Sequence, residues 1–170
     1  KKAVVAAAIS SCQSPIPMLL PGFRTRHDAR PETTMSSDPD DKDACADALV
    51  HANRELVRIG LNQGTAGNVS VRLETNMLIT PSGVAPELTD RDTIATLPLN
   101  GGGTWSGSHK PSSEWRLHLD ILNARSDVGA VVHTHSPYAT VLAVQQREIP
   151  AVHYMIAAFG DAVILSLIHI

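Results

Sequence analysis

Gly60-Leu61-Asn62-Gln63-Gly64-Thr65-Ala66-Gly67-Asn68-Val69-Ser70-Val71-Arg72 is the stretch on which the fold turns. Gly60 is a natural helix stop, residues 61–67 read as a loop, and Val69, Val71 and Leu73 alternate with polar residues as a half-buried strand does. Upstream, over residues 43–60, Cys45, Leu49, Ala52, Leu56 and Ile59 recur at the three- and four-residue steps of one helix face. Acidic residues precede that helix, and Arg54 and Arg58 lie near its end, as the helix dipole favours. The stripe reads as core, so neither Cys45 nor His51 needs a further role. Downstream, Glu74-Thr75-Asn76 makes a turn, residues 77–80 return as a second strand, and Pro81-Ser82-Gly83 breaks it. A strand over residues 93–99 closes at Asn100-Gly101-Gly102-Gly103. A helix over residues 113–124 puts Trp115, Leu119 and Leu122 on one face; a short strand over 130–135 and a helix over 138–145, opened by Pro137, follow. Strand pairs alternating with helices predict an α/β domain with a mixed or antiparallel sheet.

Composition bounds the function. The 170 residues are 43% hydrophobic and 18% charged, enough to bury one domain's core. A formal net charge of −3 argues against a nucleic-acid binder held by phosphate contacts. No apolar run reaches the ~20 residues that span a bilayer. Cys12 and Cys45 make neither a disulfide framework nor a cysteine zinc site. A soluble, cytoplasmic chain without membrane or nucleic-acid partners is expected.

The ends read differently from the middle. Residues 1–34 show no sustained period and carry Pro15, Pro17, Pro21 and Pro31, with five basic and two acidic side chains. They read as a disordered upstream leader before a start at Met35, in preference to a trimmed secretory signal with Cys12 as lipid site. Residues 165–170 resemble a translated sequencing adapter, so the domain itself is expected over residues 35–164.

Val131-Val132-His133-Thr134-His135 is the most informative segment for chemistry. On a strand, residues two apart share a face about 6–7 Å apart. Two imidazoles can then converge on one ion at the ~2.0–2.1 Å typical of zinc–nitrogen bonds. The strand's end predicts a rim position, and a pair of exposed strand histidines is the equal alternative. Glu114 follows Lys110-Pro111-Ser112-Ser113, so it falls in the first turn of its helix. There it serves the helix dipole, with either serine capping, or it faces a metal and shuttles a proton. His118, on the same face, reads as a structural helix histidine. Gly64-Thr65-Ala66-Gly67-Asn68, Thr80-Pro81-Ser82-Gly83 and Pro111-Ser112-Ser113 are small-residue loops whose N–H and hydroxyl donors can cradle a phosphate.

Together, the stretch from Gly60 to Arg72, Leu78-Ile79-Thr80-Pro81-Ser82-Gly83, Pro111-Ser112-Ser113-Glu114-Trp115-Arg116, His133-Thr134-His135 and Ile149-Pro150-Ala151-Val152-His153-Tyr154-Met155-Ile156 resemble the class II aldolase/adducin family in order and approximate spacing. The similarity runs over about residues 43–160 and is strongest to the branch acting on fuculose 1-phosphate. It implies a three-layer α/β/α sandwich around a mainly antiparallel sheet, incomplete at the C-terminus in this chain. It also implies a homotetramer with one zinc per subunit near an interface.

By the same resemblance, Gly67, Asn68, Ser82, Gly83, Ser112 and Ser113 would seat the substrate phosphate. His133 and His135 would bind zinc, and Glu114 would be the catalytic acid/base that also contacts it. Tyr154 would reach a neighbouring subunit's site and handle the proton on the aldehyde-side hydroxyl; a half-buried amphipathic ring is its alternative reading. The family's third zinc histidine comes from a later His-His-Gly motif that these residues do not contain.

The implied reaction is a carbon–carbon lyase step: zinc-dependent retro-aldol cleavage of a ketose 1-phosphate to dihydroxyacetone phosphate and an aldehyde. No lysine Schiff base is called for, and Lys110 is the only lysine in the motif-bearing stretch. Ribulose-phosphate 4-epimerases share the scaffold but usually carry Asp after the paired serines, so Glu114-Trp115-Arg116 favours aldolase. Sugar-acid phosphate dehydratases and decarboxylases share it too. A non-catalytic adducin-like head lacks the set Glu114, His133 and His135.

Overall fold

A computed structural model describes residues 39–102 and 104–147. The predicted leader over 1–34, the tail over 165–170 and Tyr154 lie outside the described residues.

The first helix, α1 (Pro39–Arg58), buries Cys45 and Leu49 and half-buries Ala52 and Leu56. The stripe stops one step short of expectation: Ile59 lies beyond the last turn and is 51% exposed. Gly60 ends the helix at φ +78°, its N–H reaching Val57 O at 3.0 Å and that of Leu61 reaching Leu56 O at 2.9 Å. These are the two hydrogen bonds of a Schellman cap, and the left-handed residue at its centre is the one glycine tolerates best.

Strands β1 (Asn68–Leu73), β2 (Asn76–Ile79), β3 (Ala95–Pro98) and β4 (Ala130–His133) form one sheet in the order β3-β2-β1-β4. Every pairing is antiparallel, with Ser70 opposite Ile79, Leu78 opposite Thr96, and Asn68 opposite His133. Residues 93–99 divide where one strand was expected. Arg91–Thr93 make a 3-10 turn and β3 begins only at Ala95. β4 also stops at His133 rather than running to His135.

Period two sorts the strands' side chains onto two cores. Val69, Leu73 and Leu78 join Ile94 and the Cys45, Ala46, Leu49 and Val50 face of α1. Met77, Ile79, Ala95, Leu97 and Val131 pack with Leu119 and Leu122 of α2 (Trp115–Ala124) on the other side. A helix on each face of an antiparallel sheet is the expected α/β/α sandwich. A further helix, α3 (Pro137–Val144), follows β4 and leaves Tyr138, Val141 and Val144 exposed.

The α2 face of β1 is polar, carrying Asn68, Ser70 and Arg72 in alternation. Arg72 reaches the far end of α2: its guanidinium donates to Leu122 O, to Val128 O at 3.2 Å and to Arg125 O at 3.2 Å. A cation on the last carbonyls of a helix satisfies groups the helix itself leaves unpaired. The other polar residues of that face, Asn68 and Ser70, lie beneath the start of α2.

Candidate active site

His133 is the last residue of β4, and the chain carries His135 back beside it. Their Nε2 atoms stand 2.9 Å apart, with the rings edge to face at 87°. Glu114 Oε2 lies 3.2 Å from His133 Nε2, and one ligand atom from each of Glu114, His133 and His135 falls within 4.8 Å of the others. The expected convergence is present. The expected rim position is not: His133 is fully buried, because its strand lies under α2.

Glu114 is at the cap position of α2 rather than inside its first turn, with φ −95° and ψ 13°. Its carboxylate makes no cap hydrogen bond; its N–H instead donates to Ser112 Oγ at 3.3 Å. Ser112 thus serves the helix start, and the carboxylate is left to face the histidines.

Under Glu114 runs a buried polar chain. Asn68 Nδ2 donates to Glu114 Oε2 at 2.7 Å, Asn68 Oδ1 meets His118 Nε2 at 2.5 Å, and His118 Nδ1 meets Ser70 Oγ at 2.7 Å. Burial pushes the pKa of His118 from 6.5 down to about 4; His133 adds to the shift and Glu114 opposes it. His118 is therefore neutral near pH 7 and carries one ring proton. Its placement four residues after Glu114 was legible, but its link to the site was not.

Asn62 is a second residue that sequence reasoning passed over. It is 2% exposed, and its Oδ1 accepts the His135 N–H at 2.9 Å, fixing the backbone that carries the second imidazole. Gly67 lies against its carboxamide: a Cβ at Gly67 would stand 2.2 Å from Asn62 Nδ2. The sequence signal was an Asn two residues past the helix-ending Gly60, a place where carboxamides bind backbone.

The small-residue loops are drawn together by backbone pairing. Ser112 N donates to Thr80 O at 3.0 Å and Ser82 N to Lys110 O at 2.9 Å, around a bridge between Pro81 and Pro111. Thr80 Oγ1 accepts from Val69 N at 3.1 Å, which joins the first loop to the other two. Ser82, Gly83 and Ser113 are exposed, Gly67 is half-buried, and Ser112 and Asn68 are buried. The Asn68 carboxamide is already engaged at both ends, by Glu114 and by His118.

The donor set suits zinc. Bonds of about 2.0–2.1 Å in a tetrahedral shell put neighbouring donors roughly 3.3 Å apart, close to the separations of His133 from His135 and from Glu114. Two imidazoles and a carboxylate leave one position for a further ligand or substrate oxygen.

Comparison with known proteins identifies a family. The Class II Aldolase and Adducin N-terminal domain family matches residues 47–166. The 5-methylthioribulose-1-phosphate/5-deoxyribulose-1-phosphate aldolase of Rhodospirillum rubrum is 51% identical over 123 residues, 72% of this chain and 54% of that protein. The L-fuculose phosphate aldolase of Escherichia coli K12 is 43% identical over 120 residues, 71% of this chain and 55% of that protein. The chain thus spans about half the length of these curated relatives. A solved L-fuculose 1-phosphate aldolase superposes with a TM-score of 0.63 at 38% identity, covering 74% of this chain and 57% of that one. By sequence and by fold, the chain belongs to the class II aldolase and adducin N-terminal domain family.

Proposed function

We propose that the protein carrying this chain is a zinc-dependent aldolase that cleaves a ketose 1-phosphate to dihydroxyacetone phosphate and an aldehyde. The observation that carries the proposal is the convergence of Glu114, His133 and His135 beside the joined small-residue loops. The names of the relatives support the substrate class, since 5-deoxyribulose 1-phosphate and L-fuculose phosphate are both phosphorylated ketoses.

In this reading His133, His135 and Glu114 hold zinc, one per subunit. Bound zinc supplies Lewis-acid stabilisation of the negative charge that develops as the carbon–carbon bond breaks. The remaining work belongs to the chain. Gly67, Asn68, Ser82, Gly83, Ser112 and Ser113 bind the phosphate through backbone N–H and hydroxyl donors, helped by the positive end of α2. Glu114 delivers the proton to the carbon from which the aldehyde leaves, and its position between the buried polar chain and His133 keeps bulk water from competing. Tyr154 handles the proton on the aldehyde-side hydroxyl across a subunit boundary.

A cytoplasmic homotetramer is the matching assembly. Among the described residues no helix is long and apolar enough to cross a membrane, and the exposed Tyr138, Val141 and Val144 offer apolar surface on α3, the helix that follows the histidines in the chain.

The test is a coupled assay for dihydroxyacetone phosphate on the complete, zinc-loaded protein with L-fuculose 1-phosphate and 5-deoxyribulose 1-phosphate. Release of dihydroxyacetone phosphate, abolished by a chelator and restored by zinc, is expected. Zinc-loaded protein that releases none from any ketose 1-phosphate, or that returns only an epimer, would overturn the assignment.

A further inference from the structure

The buried chain beneath Glu114 has a direction, and the direction follows from counting donors and acceptors. A carboxylate only accepts, whereas a carboxamide has one accepting end and one donating end. With Asn68 2.7 Å from Glu114 Oε2, the carboxamide must present Nδ2 there, since two facing acceptor oxygens would repel in a site closed to water. Asn68 Oδ1 then needs a donor, and His118 Nε2 stands 2.5 Å from it. A neutral imidazole that donates from Nε2 is bare at Nδ1, so the Ser70 hydroxyl, 2.7 Å away, donates there. Ser70 and His118 are fully buried and Asn68 is 4% exposed, so water does not supply a substitute partner.

We propose that His118 is a positioning residue for the acid/base carboxylate: donating from Nε2 to Asn68 Oδ1, it turns the Asn68 carboxamide so that Nδ2 holds Glu114 against His133. The inference rests on the reading of Glu114 as the acid/base and deepens it. Ser70 sets the His118 tautomer, His118 sets the Asn68 orientation, and Asn68 sets the carboxylate. None of the first two touches substrate, so each acts only through the next. A network that served the core alone would affect unfolding and leave turnover as it was.

The experiment uses the complete zinc-loaded enzyme with ¹⁵N-labelled histidine, together with the variants Ser70→Ala, His118→Phe and His118→Gln. Long-range ¹H–¹⁵N spectra of the wild type are expected to show His118 as the neutral Nε2–H tautomer, and Ser70→Ala to mix the tautomers. In Ser70→Ala and His118→Phe, kcat should fall roughly 10- to 100-fold with KM within about twofold of wild type. His118→Gln, which offers a side-chain N–H to Asn68, should recover much of the loss.

A wild-type His118 protonated at Nδ1 instead would overturn the inference. So would folded, zinc-loaded Ser70→Ala and His118→Phe enzymes with wild-type kcat. Where His118→Phe does not fold, the wild-type tautomer and Ser70→Ala decide the matter. A wild type that holds zinc but cleaves no ketose 1-phosphate sinks the aldolase reading, whereas a cleaving wild type with unchanged variants sinks only this inference.

Discussion

At Gly67 the backbone takes φ +76°, and a Cβ would collide with Asn62 Nδ2. At Gly64 φ is +56°, but a Cβ there meets nothing within 4 Å. Gly64→Ala should therefore show backbone strain alone, about 1–2 kcal/mol, while Gly67→Ala should lose more. It should also weaken zinc binding, because displacing Asn62 releases the His135 backbone; urea unfolding and zinc competition titration separate the two effects. Glu114→Gln should keep the fold and lower kcat by at least about 100-fold, read in the dihydroxyacetone phosphate assay.

His118 makes a pH prediction of the same scale. Its folded pKa, about 4, lies below its ordinary 6.5, chiefly through burial. The unfolded chain takes up a proton below about pH 6.5 that the folded chain refuses, so this contribution is intact above that pH. It is lost as pH falls toward about 4, at roughly 1.4 kcal/mol per pH unit where steepest. Unfolding curves of metal-free wild type and His118→Gln between those pH values should converge on acidification. His133, His135 and Glu114 were legible from their residue types and from the order of the motifs that carry them, although β4 ends at His133 and Glu114 only caps α2. The links of Asn68 to Glu114, Asn68 to His118 and Asn62 to His135 span 46, 50 and 73 residues, and no local pattern announces such partners.

Among the elements, α2 is held at both ends by β1. Asn68 and Ser70 engage its start through Glu114 and His118, and Arg72 engages its last carbonyls. Arg72→Met should cost about 1.5–3 kcal/mol by urea unfolding, since charged donors are lost while carbonyls stay partly buried. Should α2 shift with that loss, kcat will fall too, although no reacting group is changed. Helices and strands were legible because their apolar periods differ; their ends were not. Residues 93–99 hid a capping box in which Asp90 Oδ1 accepts the Thr93 N–H at 3.0 Å and Thr93 Oγ1 accepts the Asp90 N–H at 3.1 Å. An acid three residues before a hydroxyl is a helix-start signal that competes with strand propensity, and here it wins for one turn. His135 left the strand for a related reason: the side chain of Asn62, not a neighbouring strand, takes its N–H.

At the scale of the molecule, two apolar cores among the described residues account for the sandwich, and a polar seam between β1 and α2 accounts for the candidate site. The sandwich was readable in the order of motifs rather than in any one of them, because each small-residue loop alone is an ordinary turn. The seam was not readable, since Ser70 and Arg72 look like the solvent side of a half-exposed strand until α2 covers them. The homotetramer proposed above makes its own prediction at this scale. Val141→Asp on the exposed face of α3 should leave the subunit folded and reduce its assembly, as measured by light scattering after size exclusion.

A zinc-edge anomalous map from crystals of the complete protein tests the central reading most directly. One peak per subunit is expected, within bonding distance of His133 Nε2 and His135 Nε2 and lost in His133→Ala. Zinc-soaked crystals with no peak there, and the two imidazoles hydrogen-bonded to each other, would contradict it.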